Sequence, residues 1–380
     1  MKIREIAISV PSIGDEEWRA LRAVLQSGWL TQGPRVAEFE TRFAEKHAVK
    51  HAVATTSCTT GLHLVLKALG VGAGDEVIVP AFTWVATANS VLHCGATPIL
   101  VDVDPTTFNL DPKEVLRRMT PRTRAVIAVH LFGLCADMER LHQVVPAGVP
   151  IVEDCACATG ARYYDKFAGS LGRAGVFSFH PRKAITTGEG GMISTNDSVL
   201  AASCTELRNH GASMSEESRH RGDRPFELPE FRVAGFNYRL TDIQGAIGIV
   251  QLSKLEKILC EREKWALYYF EKLTKLNWLR LPKVPEAGRH AWQSFVTYVD
   301  PELSRKSRLS IMENLKKIGI STRPGTHAIH MLDYYARQFG FHPNDFPGAR
   351  LSNDNSLAIP LHNKMSYADY KYVVKSLNSI

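Results

Sequence analysis

Short, nearly continuous apolar runs recur through the first 250 residues, and segments with helical spacing separate many of them. The runs at 51–57, 75–82, 97–104, 124–133, 150–156, 174–180 and 190–196 read as strands. Their lack of strict alternation predicts burial on both faces, as in a sheet flanked by helices. After the first run, Leu62, Val65, Leu66 and Leu69 mark one helical face, and Gly70 is placed to end that helix. Further helices are expected at 83–93, 113–119 and 137–144. The rhythm is that of a doubly wound α/β sheet.

A long helical pattern follows at 241–273, carried by Ile243, Ile247, Val250, Leu255, Ile258 and Leu259. Beyond it the chain reads as a smaller α+β unit. A strand is expected at 293–300, a helix at 303–318, a strand in "GISTRP" (319–324) and a last helix at 366–378. The expected division is a large domain at 1–250 and a small one at 251–380, with about the first 13 residues packing on the small domain. The polar stretch 213–225 reads as a mobile loop. There are no internal repeats and no low-complexity segments.

Composition narrows the classes. At 44% hydrophobic and 22% charged residues, the 380-residue chain reads as a globular protein. No apolar run approaches the roughly 20 residues of a membrane span, and the opening residues lack the apolar core of a secretory signal. Seven scattered cysteines, an odd number, suggest reduced thiols and a cytoplasmic setting. Cys155 and Cys157 form a C-x-C without a second pair, so no metal site is expected. The net charge of +7 would suit a phosphorylated substrate. No Lys/Arg block or aromatic-basic motif supports nucleic-acid binding.

In such a sheet, ligands sit beyond the carboxyl ends of the strands. Ser57, Cys58, Thr59 and Thr60 follow the first strand and open a helix. Such a start binds phosphate, although Ser and Thr also simply cap helices. "GVGAGD" (70–75) follows a helix and precedes a strand, the wrong context for a dinucleotide fingerprint. Trp84 follows the second strand, either stacked on a planar ligand or in the core. Asp154 follows Glu153 as an N-cap or as the partner of a cationic ligand group. Lys183, with Ser178 nearby, follows "AGVFSFH". It is either a solvated charge or a Schiff-base nucleophile whose pKa Arg182 would help depress. Phosphate loop, aromatic, acid and lysine together make a parts list for pyridoxal 5'-phosphate.

Blocks across nearly the whole chain resemble the DegT/DnrJ/EryC1/StrS family of nucleotide-sugar aminotransferases. They are "SGWLTQGPRVAEFE" (27–40), "GDEVIVPAFTWVATANSVLHCGATPILVDVDPTTFNLDP", "PRTRAVIAVHLFG", "VEDCACATGA", "FSFHPRKAITTGEGGMI", "GFNYRLTDIQGAIGIVQL" and "FPGARLSNDNSLAIPLH". The resemblance implies fold-type I: a mostly parallel seven-stranded sheet flanked by helices, with a smaller C-terminal domain. It implies that Lys183 binds the cofactor aldehyde and shuttles the proton. Asp154 would meet the pyridine nitrogen, and Trp84 would stack on the ring. Thr59, Thr60 and Ser178 would contact the phosphate and ring. Asn237 would reach the neighbouring subunit's phosphate, which implies a homodimer with shared sites. The chain departs from the family at Cys157, where Gln or an acid usually faces the phenolic oxygen, and at Cys58, where a small residue is usual.

The family's dehydratases carry histidine in place of the lysine, so Lys183 favours transamination. The resemblance implies transfer of an amino group from L-glutamate to a keto-deoxy sugar on a nucleotide diphosphate, at C4, in amino-sugar biosynthesis for a cell-surface polysaccharide or a glycosylated natural product. Arg323, His327 and His330 are candidates for the diphosphate or the sugar hydroxyls, with Trp29 and Glu189 as further pocket candidates. A dehydratase, an aromatizing synthase or a non-catalytic regulator on the same fold remain alternatives.

Overall fold

The computed structural model describes residues 4–214, 226–284 and 288–380. The stretch expected as a loop at 213–225 lies, apart from Ser213 and Met214, outside the described residues. The first 196 residues form strands β1 (His51–Thr55), β2 (Glu76–Pro80), β3 (Phe82–Thr83), β4 (Thr97–Val101), β5 (Thr123–Val129), β6 (Ile151–Asp154), β7 (Arg162–Tyr163), β8 (Lys166–Phe167), β9 (Ala174–Ser178) and β10 (Gly191–Thr195). Seven of them make one sheet, in the order β1-β10-β9-β6-β5-β2-β4. Strand β10 alone runs against the others.

Side chains explain the continuous runs. Successive residues of a strand face opposite sides of the sheet. Val77 and Val79 of β2 join one buried cluster with Leu62, Val65 and Leu66, while Ile78 joins another with Met138 and Leu141. In β5, Ala125, Ile127 and Val129 take the first side and Val126 and Ala128 the second. Both faces are covered, so both are mainly apolar.

The register sets the functional edge. Pro80 pairs with Val101, Val129 with Asp154, and Asp154 with Val176. Gly191, at the start of the reversed strand, pairs with both Ser178 and Thr55. The loops carrying Ser57, Trp84, Asp154, Ser178 and Lys183 therefore leave the sheet at one edge.

The rest of the chain adds β11 (Leu279–Arg280), β12 (Gly288–Arg289), β13 (Phe295–Val299), β14 (His327–Ala328) and β15 (Ser356–Ile359). Strands β11, β13 and β15 form an antiparallel sheet. Its buried cluster includes Tyr269, Phe295, Ile311 and Tyr370. Ile6 joins this cluster and bridges Ile320. The helix Leu255–Leu273 belongs to two cores: Leu255, Ile258 and Leu259 pack with Phe39 and Phe179, while Ala266, Tyr269 and Leu273 pack with Phe295.

Three expectations change. "GISTRP" is not a strand: it makes only single bridges, Ile320 to Ile6 and Arg323 to Ala358. Gly319 at its start has φ +81° and Pro324 at its end lacks a donor, so no ladder extends. The helix expected from 303 begins at Arg308, because Asp300 Oδ1 accepts from the amides of Glu302 and Leu303 and folds 300–306 into turns. The pattern at 241–273 is two helices, Asp242–Ser253 and Leu255–Leu273. They meet at Lys254, whose ammonium is held by Glu16 and Glu17. No helix among the described residues is long and apolar enough to cross a membrane.

Candidate active site

Ser57 is the N-cap of the helix Cys58–Ala68. Its hydroxyl accepts from Thr60 N at 3.1 Å, and its own N–H donates to Thr60 Oγ1 at 3.0 Å. This capping box occupies the Thr60 hydroxyl locally. What the helix start offers an anion is the N–H groups of its first turn and its dipole. The turn is pressed against β10: a Cβ on Gly191 would lie 2.5 Å from the Ser57 carbonyl carbon and 2.7 Å from Cys58 N. Only glycine allows this approach. Gly191→Ala is expected to displace the loop, costing about 1–3 kcal/mol of stability and about tenfold or more in cofactor affinity. Thermal melts and absorbance titration with pyridoxal phosphate check both.

Asp154 ends β6 and is buried. Its Oδ2 accepts from Thr87 Oγ1 at 2.8 Å, and its Oδ1 from Ala156 N at 3.1 Å and from the Cys58 thiol at 3.8 Å. All three of these partners are donors, so the carboxylate oxygens are used as acceptors. Thr87 was missed in the sequence. Its signal was a hydroxyl residue three positions after Trp84, in the first turn of the helix Ala86–His93.

Glu153 faces the other side of the sheet, as strand alternation requires. It accepts from the amides of Gly169, Leu171 and Gly172 and from His130 Nε2 at 2.8 Å. Ala136 N donates to His130 Nδ1, which puts the imidazole proton on Nε2. His130, Glu153 and Cys155 lie within 4.8 Å of one another, but these bonds already occupy the histidine and carboxylate. Glu153, steadied by His130, anchors the 169–172 turn.

Lys183 is half-buried, and its amine reaches Cys157 Sγ at 3.3 Å. Burial alone would lower its pKa, but Cys157, Cys58 and Asp154 outweigh that and raise it above the ordinary lysine value. The expectation that Arg182 depresses it is corrected: the field of Arg182 acts on Arg323, whose pKa is lowered by burial and then by Arg182. Gln293 Nε2 donates to the Arg182 carbonyl at 2.9 Å, fastening the lysine loop to a segment 111 residues away. No local pattern could have revealed that bond. Ser178 ends β9, and its hydroxyl accepts from His180 N at 3.4 Å.

Trp84 is 59% exposed, so it is not a core residue. Its ring lies 5.5 Å from that of His327, brought there by the pairing of β14 with β3. Arg323 is exposed and bridges Ala358. Trp29 and Glu189 flank the start of the helix Asp242–Ser253. Trp29 Nε1 donates to Gln32 O, Asp242 accepts from Arg35 N and Val36 N, and Gln244 Nε2 donates to Glu189 O. Asn237 is exposed between Phe236 and Tyr238, whose rings stack at 5.0 Å. His330 is corrected: it is fully buried against Phe346, with Nε2 at 3.2 Å from the Pro343 carbonyl, and is a packing residue.

The donor set fits pyridoxal phosphate. The N–H groups of a helix start suit the phosphate, a surface tryptophan suits the ring, a buried carboxylate suits the ring nitrogen and an amine suits the aldehyde.

The profile of the DegT/DnrJ/EryC1/StrS aminotransferase family matches residues 11–378. The chain is 39% identical over 378 residues to GDP-perosamine synthase of Caulobacter vibrioides, covering 99% of this chain and 98% of that one. It is 38% identical over 374 residues to the spore coat polysaccharide biosynthesis protein SpsC of Bacillus subtilis, covering 98% and 96%. Spr1654 of Streptococcus pneumoniae, described as a sugar aminotransferase and solved in its PLP form, superposes with a TM-score of 0.91 at 29% identity, over 99% of this chain and 98% of that one. From these matches along almost its whole length, the chain belongs to the DegT/DnrJ/EryC1/StrS aminotransferase family and is a pyridoxal-phosphate-dependent sugar aminotransferase.

Proposed function

We propose that the chain moves the amino group of L-glutamate to C4 of a keto-deoxy sugar carried on a nucleotide diphosphate. It acts as a cytoplasmic homodimer with shared sites, and each chain divides near residue 250 into a cofactor-binding and a smaller domain. The observation that carries this reading is that one edge of the sheet holds Asp154 against the Cys58 turn, at 3.8 Å from its sulfur, and the Lys183 amine against Cys157, at 3.3 Å. Similarity to a GDP-perosamine synthase supports the nucleotide-sugar acceptor.

Bound here, pyridoxal phosphate supplies an aldehyde that takes up amines and a ring that accepts the charge left when a neighbouring C–H bond breaks. The first turn of the helix Cys58–Ala68, with Thr59 and Ser178, would hold the phosphate, Trp84 would lie against the ring and Cys157 against its oxygen-bearing side. Asp154, fixed by Thr87 and Ala156, would keep a proton on the ring nitrogen. Lys183 Nζ would hold the aldehyde end and, when free, would serve as the base for the proton on the donor's α-carbon. His327, whose ring lies beside that of Trp84, and Arg323 would meet the diphosphate sugar, with Trp29 and Glu189 as further contacts. Asn237 reaches the partner's phosphate.

The test is the visible absorption of the protein with pyridoxal phosphate, before and after L-glutamate, followed by product analysis with GDP- and dTDP-linked 4-keto sugars. A band bleached by glutamate and a 4-amino sugar product are expected. A band indifferent to amino donors would remove the reading.

A further inference from the structure

Seven cysteines are present, and they differ sharply in surroundings. Cys58, Cys94, Cys135, Cys155 and Cys204 are buried, and burial pushes their thiols up. A thiol held neutral in this way is a poor nucleophile. Cys260 is exposed, and its sulfur faces a guanidinium, 3.6 Å from Arg289. Cys157 alone combines partial exposure with an amine in contact, Lys183 Nζ at 3.3 Å.

We propose that Cys157 and Lys183 form a covalent modification site, in which peroxide joins the cysteine sulfur to the lysine nitrogen and locks the amine. The contact needs little movement, because the two atoms already lie at hydrogen-bond separation. The chemistry runs in two steps. The sulfur attacks one oxygen of hydrogen peroxide, the O–O bond breaks, and a sulfenic acid and one water result. The lysine nitrogen, in its unprotonated form, then displaces the hydroxyl from sulfur, so that an S–N bond forms and the S–O bond breaks. The nitrogen gives up one proton, which leaves with the hydroxyl as a second water. In sum, one thiol, one amine and one peroxide give the bridge and two waters. Sulfur loses two electrons, and the peroxide takes them. A thiol reductant reverses the bond by attack on sulfur.

The bond itself follows from the contact alone. Its consequence, reversible arrest of amino transfer, rests on the proposed role of Lys183. On that role, the bridge forms when Lys183 is free and is slowed when the cofactor occupies its nitrogen.

The experiment treats the full chain with hydrogen peroxide in three states: loaded with pyridoxal phosphate, loaded and supplied with L-glutamate, and free of cofactor. Each sample is digested with trypsin and its peptides are mapped by mass. The expected product joins peptide 141–162, which carries Cys157, to peptide 183–208, with the mass of two hydrogens lost. Cleavage after Lys183 is lost with it. Dithiothreitol restores both peptides. The product persists in Cys260→Ser and disappears in Cys157→Ser, whose fold is checked by its melting temperature. Recovery of Cys157 only as an oxygen adduct, or in a disulfide with Cys58, Cys155 or Cys204 while trypsin still cuts after Lys183, would overturn the proposal. A bridge in the cofactor-free protein with no effect of glutamate on the loaded one would keep the modification site and count against the assigned role of Lys183.

Discussion

Lys183→Ala is expected to lower amino transfer by about three orders of magnitude or more, since both a nucleophile and a positioned base are removed at once. The fold should survive. Lys183 is half-buried, and its side chain bonds the Cys157 sulfur. The backbone bond from Lys183 N to His180 O does not depend on the side chain. Asp154 keeps its bonds from Thr87 and Ala156, so the acid stays in place. The melting temperature should therefore move by only a few degrees while kcat collapses. Lys183→Arg separates charge from chemistry. A guanidinium keeps the positive charge but stays protonated and cannot attack an aldehyde, so the arginine variant should be as inactive as the alanine variant. Single-turnover assays with L-glutamate make the comparison. Near-normal turnover in either variant would return Lys183 to an ordinary charge at a strand end.

Asp154→Asn should lower kcat by about 10²- to 10³-fold, the loss typical when a preorganised electrostatic group is removed from a reacting centre. The variant is close in shape, and its amide oxygen can still accept from Ala156 N. It lacks the negative charge that keeps a proton on the ring nitrogen. Its NH₂ replaces an oxygen that took a hydrogen bond from Thr87, and that hydroxyl must turn to accept instead. Binding of the phosphate end involves other residues, so cofactor affinity should change less than turnover. Thr87→Val tests the same arrangement one step removed. It deletes the hydroxyl that holds the carboxylate, and a smaller fall in kcat is expected. Equal losses of kcat and of cofactor affinity in Asp154→Asn would mean that the residue supports the pocket rather than the ring.

The site is assembled from positions that are each ordinary in isolation. A capped helix start, an acid at a strand end and a lysine in a loop occur in many proteins. Here the register that pairs Asp154 with Val176, and Gly191 with both Ser178 and Thr55, brings them to one edge. Glycine at 191 then lets the phosphate-binding turn sit against the reversed strand.

The sequence by itself determined the layered sheet, the order of its elements and the chain positions of Ser57, Trp84, Asp154, Ser178 and Lys183. Those features depend on local matters: apolar runs long enough for strands, helical spacing between them, and caps and glycines at the joins. Only the tertiary structure decided which groups meet. It placed Cys157 against Lys183 and so raised the amine's pKa, and it let the field of Arg182 act on Arg323 instead. Thr87 was set under Asp154, and Gln293 was tied to the lysine loop. His330 was drawn into the core, while Trp84 stayed on the surface beside His327. "GISTRP" remained outside the sheets because its neighbours, Ile6 and Ala358, each offer a single bridge. Each of these outcomes depends on a neighbour far away in the chain, and hydrophobic periodicity, which reports only burial and local geometry, holds no record of such a neighbour.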